Sequence, residues 1–448
     1  MKFVDSYLKS PYHRIYLVSA LIAFTWWMVF NPGFYSSDSF VILDNIKNGK
    51  ITSEWTAIWA LTLNILTLGG NQPQLATLFF SQLLAASISF FCISFFKVRI
   101  AMWSSAILCA TPLVGAMGIT LWHDIPMTAG FLLVLGSIKK LEQGSKNAYI
   151  LMLIGGFFAS YRFNGLPTLI MYGLILLVFS RNKKPIIFLV LSLTLLAGVS
   201  SSLNFSLRSS LNVQTDGFID WMRYDLSCYA SSSDDPVFFK ENFSGKLSLD
   251  DWSSQSSCIW FNDSKAFGVR TDFVNRAIPS AWLDLAIHEP WFIFKTHLDR
   301  HKYLVPIPFS GPPSMPFIHT TIETAGTNIR FLNPEFSEIT RSYPRIWNYF
   351  NYIFGYAGFW LAVTFVIARW KRDLVLLKFG LLGLILNSGL FVFASISDAR
   401  FALYVLILGQ LIVVVLLTEW AEKQFHTRKI SPLHSIRTIQ ARTRKLKS

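Results

Sequence analysis

Charge is scarce in this sequence. Asp, Glu, Lys and Arg make up 15% of its 448 residues, against about a quarter in an average soluble domain, so most of the chain cannot present an ordinary water-facing surface. Cysteine is scarce too, with four in all. No C-x-x-C or H-E-x-x-H spacing occurs, which leaves no zinc site to expect and no disulfide-built scaffold. Basic residues outnumber acidic ones by 40 to 26, yet no nucleic-acid-binding module accompanies them, and no nucleic-acid partner is expected. What the chain has in quantity is apolar residues, 52% of the total, gathered in long unbroken runs.

A run of roughly 20 apolar residues crosses the hydrocarbon as a helix, because a helix satisfies its own backbone donors and acceptors where water is absent. Runs bounded by charge, Pro or Gly lie near 15–30, 74–96, 100–119, 125–138, 147–161, 165–180, 186–202, 348–368, 374–395 and 401–419. The expected fold class is therefore an all-α polytopic membrane protein with about ten spans. The first run follows Lys2, Lys9 and Arg14 without a small-residue cleavage pattern and reads as a retained signal anchor.

With the N-terminus inside, alternate loops carry Lys97 and Arg99, then Lys139, Lys140 and Lys146, then Arg181, Lys183 and Lys184, then Arg369, Lys371 and Arg372. Residues 421–448 add eight Lys/Arg against one Glu, a basic cytoplasmic tail facing lipid headgroups. The opposite short loops hold only Lys47, Lys50, Arg162 and Arg400, the asymmetry of the positive-inside rule. Residues 54–70 are rich in Trp and Thr and are expected to be interfacial or re-entrant, since a full span there would turn every later basic cluster outward.

The organisation follows: a transmembrane core over 1–202 with a first outer loop at 31–73, a polar extracytoplasmic domain over 203–345, three helices over 346–420, and the tail. The polar region holds 13 Lys/Arg and 16 Asp/Glu, with Trp221, Trp252, Trp260, Trp282 and Trp291 to build a core, so a folded, mainly helical domain is expected rather than a linker. Cys228 and Cys258 lie in it, and a disulfide between them and two free thiols are alternatives of equal standing. His288, His297, His301 and His319 are expected at the surface or the membrane interface, not on a metal.

Four places on the outer side hold ionisable residues at helix ends: Asp38 in YSSDS, Asp124 in WHDIP, Arg162 in YRFNG, and Asp398 with Arg400 in SDARF. Taken singly, such residues cap helices or reach for headgroups. On one side and at one boundary, they point to a site. Transfer of a sugar from a lipid phosphate suits them. The leaving phosphate is already anionic and needs cations, which Arg162 and Arg400 supply, while Asp38 or Asp124 can take the acceptor hydroxyl's proton. One base and one direct attack imply inversion.

In order, Tyr35-Ser36-Ser37-Asp38-Ser39, Trp122-His123-Asp124-Ile125-Pro126, Arg162-Phe163-Asn164-Gly165, a large outer domain after the seventh span and Asp398-Ala399-Arg400-Phe401 resemble the GT-C superfamily of glycosyltransferases that use polyprenyl-phosphate sugars, including bacterial enzymes that decorate O-antigen. The stretch from Trp282 through His288-Glu289-Pro290 to His297 and Arg300 is similar to an amphipathic element of such proteins. The resemblance implies Asp38 as catalytic base and Asp124 in an assisting role. It places His123 with Arg162 and Arg400 on the donor phosphate, and Asn164, Asp398 and Asp44 in support. Many members have two adjacent acids in the first loop and Lys in place of His123; here Asp38 stands alone until Asp44, and neither metal nor cofactor is expected. The implied partners are a polyprenyl-phosphate sugar, a glycan or glycolipid acceptor and membrane lipids. A transporter or flippase, and a lipid-linked glycan ligase or polymerase, remain open alternatives.

Overall fold

A computed structural model describes residues 10–50, 55–180, 182–211, 219–233, 235–253, 272–301, 304, 355–394 and 399–421. Among them the regular structure is helical, with no strand beyond one isolated bridge. A helix stands at each apolar run: α1 Pro11–Val29, then, after the short α2 Ser37–Lys47 and α3 Ala57–Leu66, α4 Pro73–Phe95, α5 Val98–Ala110 with α6 Pro112–Gly118, α7 Asp124–Glu142, α8 Ala148–Ala159, α9 Gly165–Phe179 and α10 Lys184–Leu211. The polar middle region supplies α11 Asp220–Ser232, α12 Pro236–Asn242, α13 Leu249–Trp252, α14 Asp272–His288 and α15 Pro290–Arg300. The chain then continues through α16 Ala357–Lys371, α17 Leu374–Phe393 and α18 Leu403–Ala421. By length and composition four of these can cross a bilayer (α4, Lys184–Ser206 of α10, α17 and α18), or five if α5 and α6 form one span.

One departure from the run-by-run reading has a local cause. The run at 100–119 is two helices bent by 67°. Pro112 lacks the N–H a continuing helix needs, and Thr111 caps the second helix, its hydroxyl oxygen accepting from the Val114 N–H. In the 54–70 stretch, α3 has ten residues, roughly 15 Å of rise, half the hydrocarbon thickness. Its inner side buries Ala57, Ile58, Trp59, Ala60 and Leu63.

The centre of the bundle is α7, where every residue from Asp124 to Ile138 is buried. It meets α8 at Gly130 and Gly155, where a Cβ on either residue would strike the other's carbonyl. At the rim, α10 turns Leu191 and Leu195 outward at 65% and 72% exposure, a surface that hydrocarbon tolerates and water does not.

The helices of this polar region gather a second apolar core from Leu226, Phe239, Phe243, Trp252, Ile278 and Leu285. An ionic knot ties it to the end of α17. Buried Asp225 accepts from Arg300 Nη2, from Trp282 Nε1 and from His297 Nε2, each at 2.8 Å. His297 Nδ1 lies 2.7 Å from the Phe391 carbonyl. His301 Nε2 donates to the Ala394 carbonyl at 3.0 Å. His297 and His301 are thus buried on the inward side of α15, contrary to the surface position expected of them; His288 is exposed, and His319 lies outside the described residues. Burial pushes the Asp225 carboxyl upward, but Arg300 and His297 more than offset it, and the net shift is downward. Burial, with the charges of Arg300 and His297, holds His301 down to about 3.

Two outcomes are expected. Gly130→Val should lower the unfolding temperature in detergent through overpacking of about 1–3 kcal/mol, whereas Gly198→Ala, with open space around it, should not. Acidification should destabilise the fold in two windows. An unfolded His301 charges below about 6.5 while the folded one stays neutral to about 3, so stability falls through that range by up to about 1.4 kcal/mol per pH unit. The contribution of Asp225 is present above the ordinary carboxylate range and is lost as pH drops through its depressed value. Thermal unfolding against pH should flatten between pH 6.5 and 4 in His301→Gln.

Candidate active site at the end of the bundle

The loop between α1 and α2 is clasped to the loop that leads into α7. At Gly33 the backbone takes φ +111°, and a Cβ there would meet the Ile119 carbonyl at 2.7 Å, so glycine alone permits the approach. The Phe34 N–H then donates to the Ile119 carbonyl and the Leu121 N–H to the Phe34 carbonyl, each at 3.0 Å, forming the isolated parallel bridge of Phe34 with Thr120.

Side chains extend the clasp. Trp122 Nε1 donates to Ser36 Oγ at 2.7 Å, the Ser36 and Ser39 hydroxyls lie 3.3 Å apart, and the Ser39 hydroxyl donates to the Leu121 carbonyl at 2.9 Å. Ser36 is also the N-cap of α2. Asp38, half-buried in the first turn of that helix, sits between the two clasped serines, where the exposed N–H groups of a helix start favour negative charge.

Asp124 opens α7 and is wholly buried, and it forms an ion pair with Arg162 from the turn between α8 and α9. The guanidinium of Arg162 also lies over the Phe401 ring, its Cζ 3.8 Å from the centroid. Cation–π contact of this kind holds a guanidinium plane without consuming its donors. Asn164 is the N-cap of α9 in the same turn, and its buried Oδ1 has no hydrogen-bond partner among the described residues.

His123, partly buried, precedes Asp124, its ring 6.1 Å from Trp59. Trp59 lies 5.6 Å from Tyr161, and α3 is fastened there by Thr56, whose hydroxyl donates to the Tyr161 carbonyl at 2.9 Å. The structure thus brings together Asp38, His123, Asp124, Arg162 and Asn164 around one end of α7. Asp44 is exposed, six residues on and turned about 240° around α2 from Asp38 at 100° per residue. Asp398 and the Arg400 side chain lie outside the described residues.

Cys228 is disulfide-bonded and buried in the helices of the polar region, beside Thr296 rather than at this site, while Cys92 and Cys109 are free. Its expected partner, Cys258, lies outside the described residues. Two small apolar cavities lie within the bundle, one beside Tyr404 and one beside Gly115, and neither is lined by a residue of this site.

Sequence reasoning did not single out Ser36, Ser39, Trp59, Tyr161 or the role of Phe401. The serines carried a signal, since Ser at the two ends of an S-x-x-S spacing before an apolar run marks a helix start. The aromatic contacts carried none, because they join segments far apart in the chain.

Removing one partner of the buried pair should be costly. Asp124→Asn leaves the Arg162 cation without its counter-charge and should lower stability by about 3–5 kcal/mol, read by thermal unfolding in detergent. Combining it with Arg162→Gln should recover part of that loss, and Phe401→Leu should cost about 0.5–2 kcal/mol. Compared with protein-family models, curated proteins and solved structures, the chain matches none.

Proposed function

We propose that the chain is an integral-membrane glycosyltransferase of the cytoplasmic (inner) membrane. In this reading it moves a sugar from a polyprenyl phosphate to a hydroxyl of an envelope glycan or glycolipid, such as O-antigen, on the outer face. Ten spans with both termini cytoplasmic put the α7 end that bears Asp38, Asp124 and Arg162 on that face, in keeping with the basic loops on the other.

The observation that carries the reading is the clasp. It holds the start of α2, which bears the half-buried carboxylate of Asp38, against the loop that leads into α7, whose first residue, Asp124, is ion-paired with Arg162. The pairing divides the two acids by role. Asp124, ion-paired with Arg162, is assigned to positioning it, and Asp38, half-buried in the first turn of α2, is assigned as the base.

In the reaction, the acceptor hydroxyl gives its proton to Asp38 and its oxygen attacks the anomeric carbon from the face opposite the phosphate. The anomeric C–O bond breaks, its electron pair leaves with the polyprenyl phosphate, and Arg162, Arg400 and His123 receive that anion. The product is an inverted glycoside, with one proton on Asp38 to be returned to water.

Two observations favour a second reading, a transporter of a lipid-linked or small solute. The α5–α6 break, bent by 67°, and the buried amide of Asn387 within α17, which has no hydrogen-bond partner among the described residues, are features that transporters place along a path through the membrane.

The two readings separate in one assay. With a radiolabelled polyprenyl-phosphate sugar donor in membranes, Asp38→Asn and Arg400→Ala should each lower sugar transfer by at least about 100-fold. Full activity in both would overturn the mechanism. Uptake into sealed vesicles without a new glycosidic bond would establish the transporter.

A further inference from the structure

Helices α14 and α15 are two-faced. One face of α14 buries Val274, Ile278, Ala281 and Leu285 in the second core, and one face of α15 buries Thr296, His297 and Arg300. On the other side, Leu283, Ile287, Trp291 and Phe294 are 55%, 66%, 71% and 45% exposed. Their spacing of four, four and three residues is that of a helical stripe, and it crosses the break at Glu289. Polar positions are available in quantity on this domain, so four large apolar side chains in a row facing outward call for an occupant.

The end of α17 gives the stripe a depth. The Phe294 ring lies 6.0 Å from Phe391, Trp291 stacks on Phe294 at 5.3 Å, and Trp221 meets Phe393 edge-on at 5.4 Å. Phe391 is two residues, roughly 3 Å of rise, from the end of a helix fit to cross the bilayer. Val392 and Phe393 in that last turn are themselves 39% and 56% exposed, and the Phe294–Phe391 ring contact joins this end of α17 to α15. Tryptophan is favoured at this level, where one edge of the ring is in hydrocarbon and the other among headgroups. Exposed Lys295 and Arg276 on the same helices have stems long enough to set a cation among phosphates.

We propose that α14 and α15 lie on the outer leaflet of the membrane, with Leu283, Ile287, Trp291 and Phe294 seated at the boundary between headgroups and acyl chains. The occupant is lipid rather than a second copy of the chain. Four side chains exposed to this degree present on the order of 500 Å², short of the roughly 800 Å² per partner of a stable protein interface, while a narrow stripe beside a spanning helix is the shape an interfacial helix presents. The inference rests on α17 crossing the membrane and is independent of the reaction proposed above.

The test uses the full chain in nanodiscs of phosphatidylethanolamine and phosphatidylglycerol, with a nitroxide attached at Trp291→Cys or, separately, at Ile287→Cys. Both positions are exposed, so the fold should survive, and the unfolding temperature of each variant confirms it. The membrane reference is Leu195→Cys, on the outward side of α10; the water reference is the free label in buffer. The expected result is a ratio of oxygen to aqueous nickel-chelate accessibility several-fold above the water reference and nearer that of position 195. A ratio equal to the water reference at both positions overturns the proposal. Protection from both reagents, with a doubled particle mass, also overturns it and assigns the stripe to a second copy.

Discussion

A carboxylate without access to water keeps its charge only against a cation, and Asp124 depends on Arg162 for that. The pair sits where three pieces of chain converge: the start of the central helix, the turn between α8 and α9, and the entry to α18 through Phe401. Coulomb attraction between the two groups is strong because the surroundings are apolar, and for the same reason either group alone would be a large liability. The fully buried course of α7 below the pair follows from this: a helix anchored at its mouth can be packed on all sides.

The helices were legible because apolar runs are local and the bilayer demands them. Which way each helix faces was not. α7 and α10 read alike as uniformly apolar, yet one is buried on every side and the other turns leucines outward; the difference arises from neighbours distant in the chain. The Pro112 break was present in the letters and passed over, since an apolar run long enough to cross hides an interruption.

The acids and arginines of the site were legible as residues, from chemistry and order. Their division of labour was not, because the partnership of Asp124 with Arg162 is a matter of three dimensions. The histidines on α15 show the opposite error. An amphipathic segment has two faces, and His297 and His301 lie on the inner one, where Asp225 and two carbonyls at the end of α17 receive them. Asp225 itself attracted no notice in a region with 16 acids.

The clasp has a consequence for motion. The indole of Trp122 can only donate and the Leu121 carbonyl can only accept, so the hydroxyls of Ser36 and Ser39 between them are left one consistent orientation, each passing its proton toward the next oxygen. The circuit leaves one loop, crosses to the start of α2 and returns to the same loop. Asp38 and Asp124 are therefore carried on a single rigid body, and a ligand that shifts one must shift the other: any closure at this end of the bundle has to come from what lies opposite them.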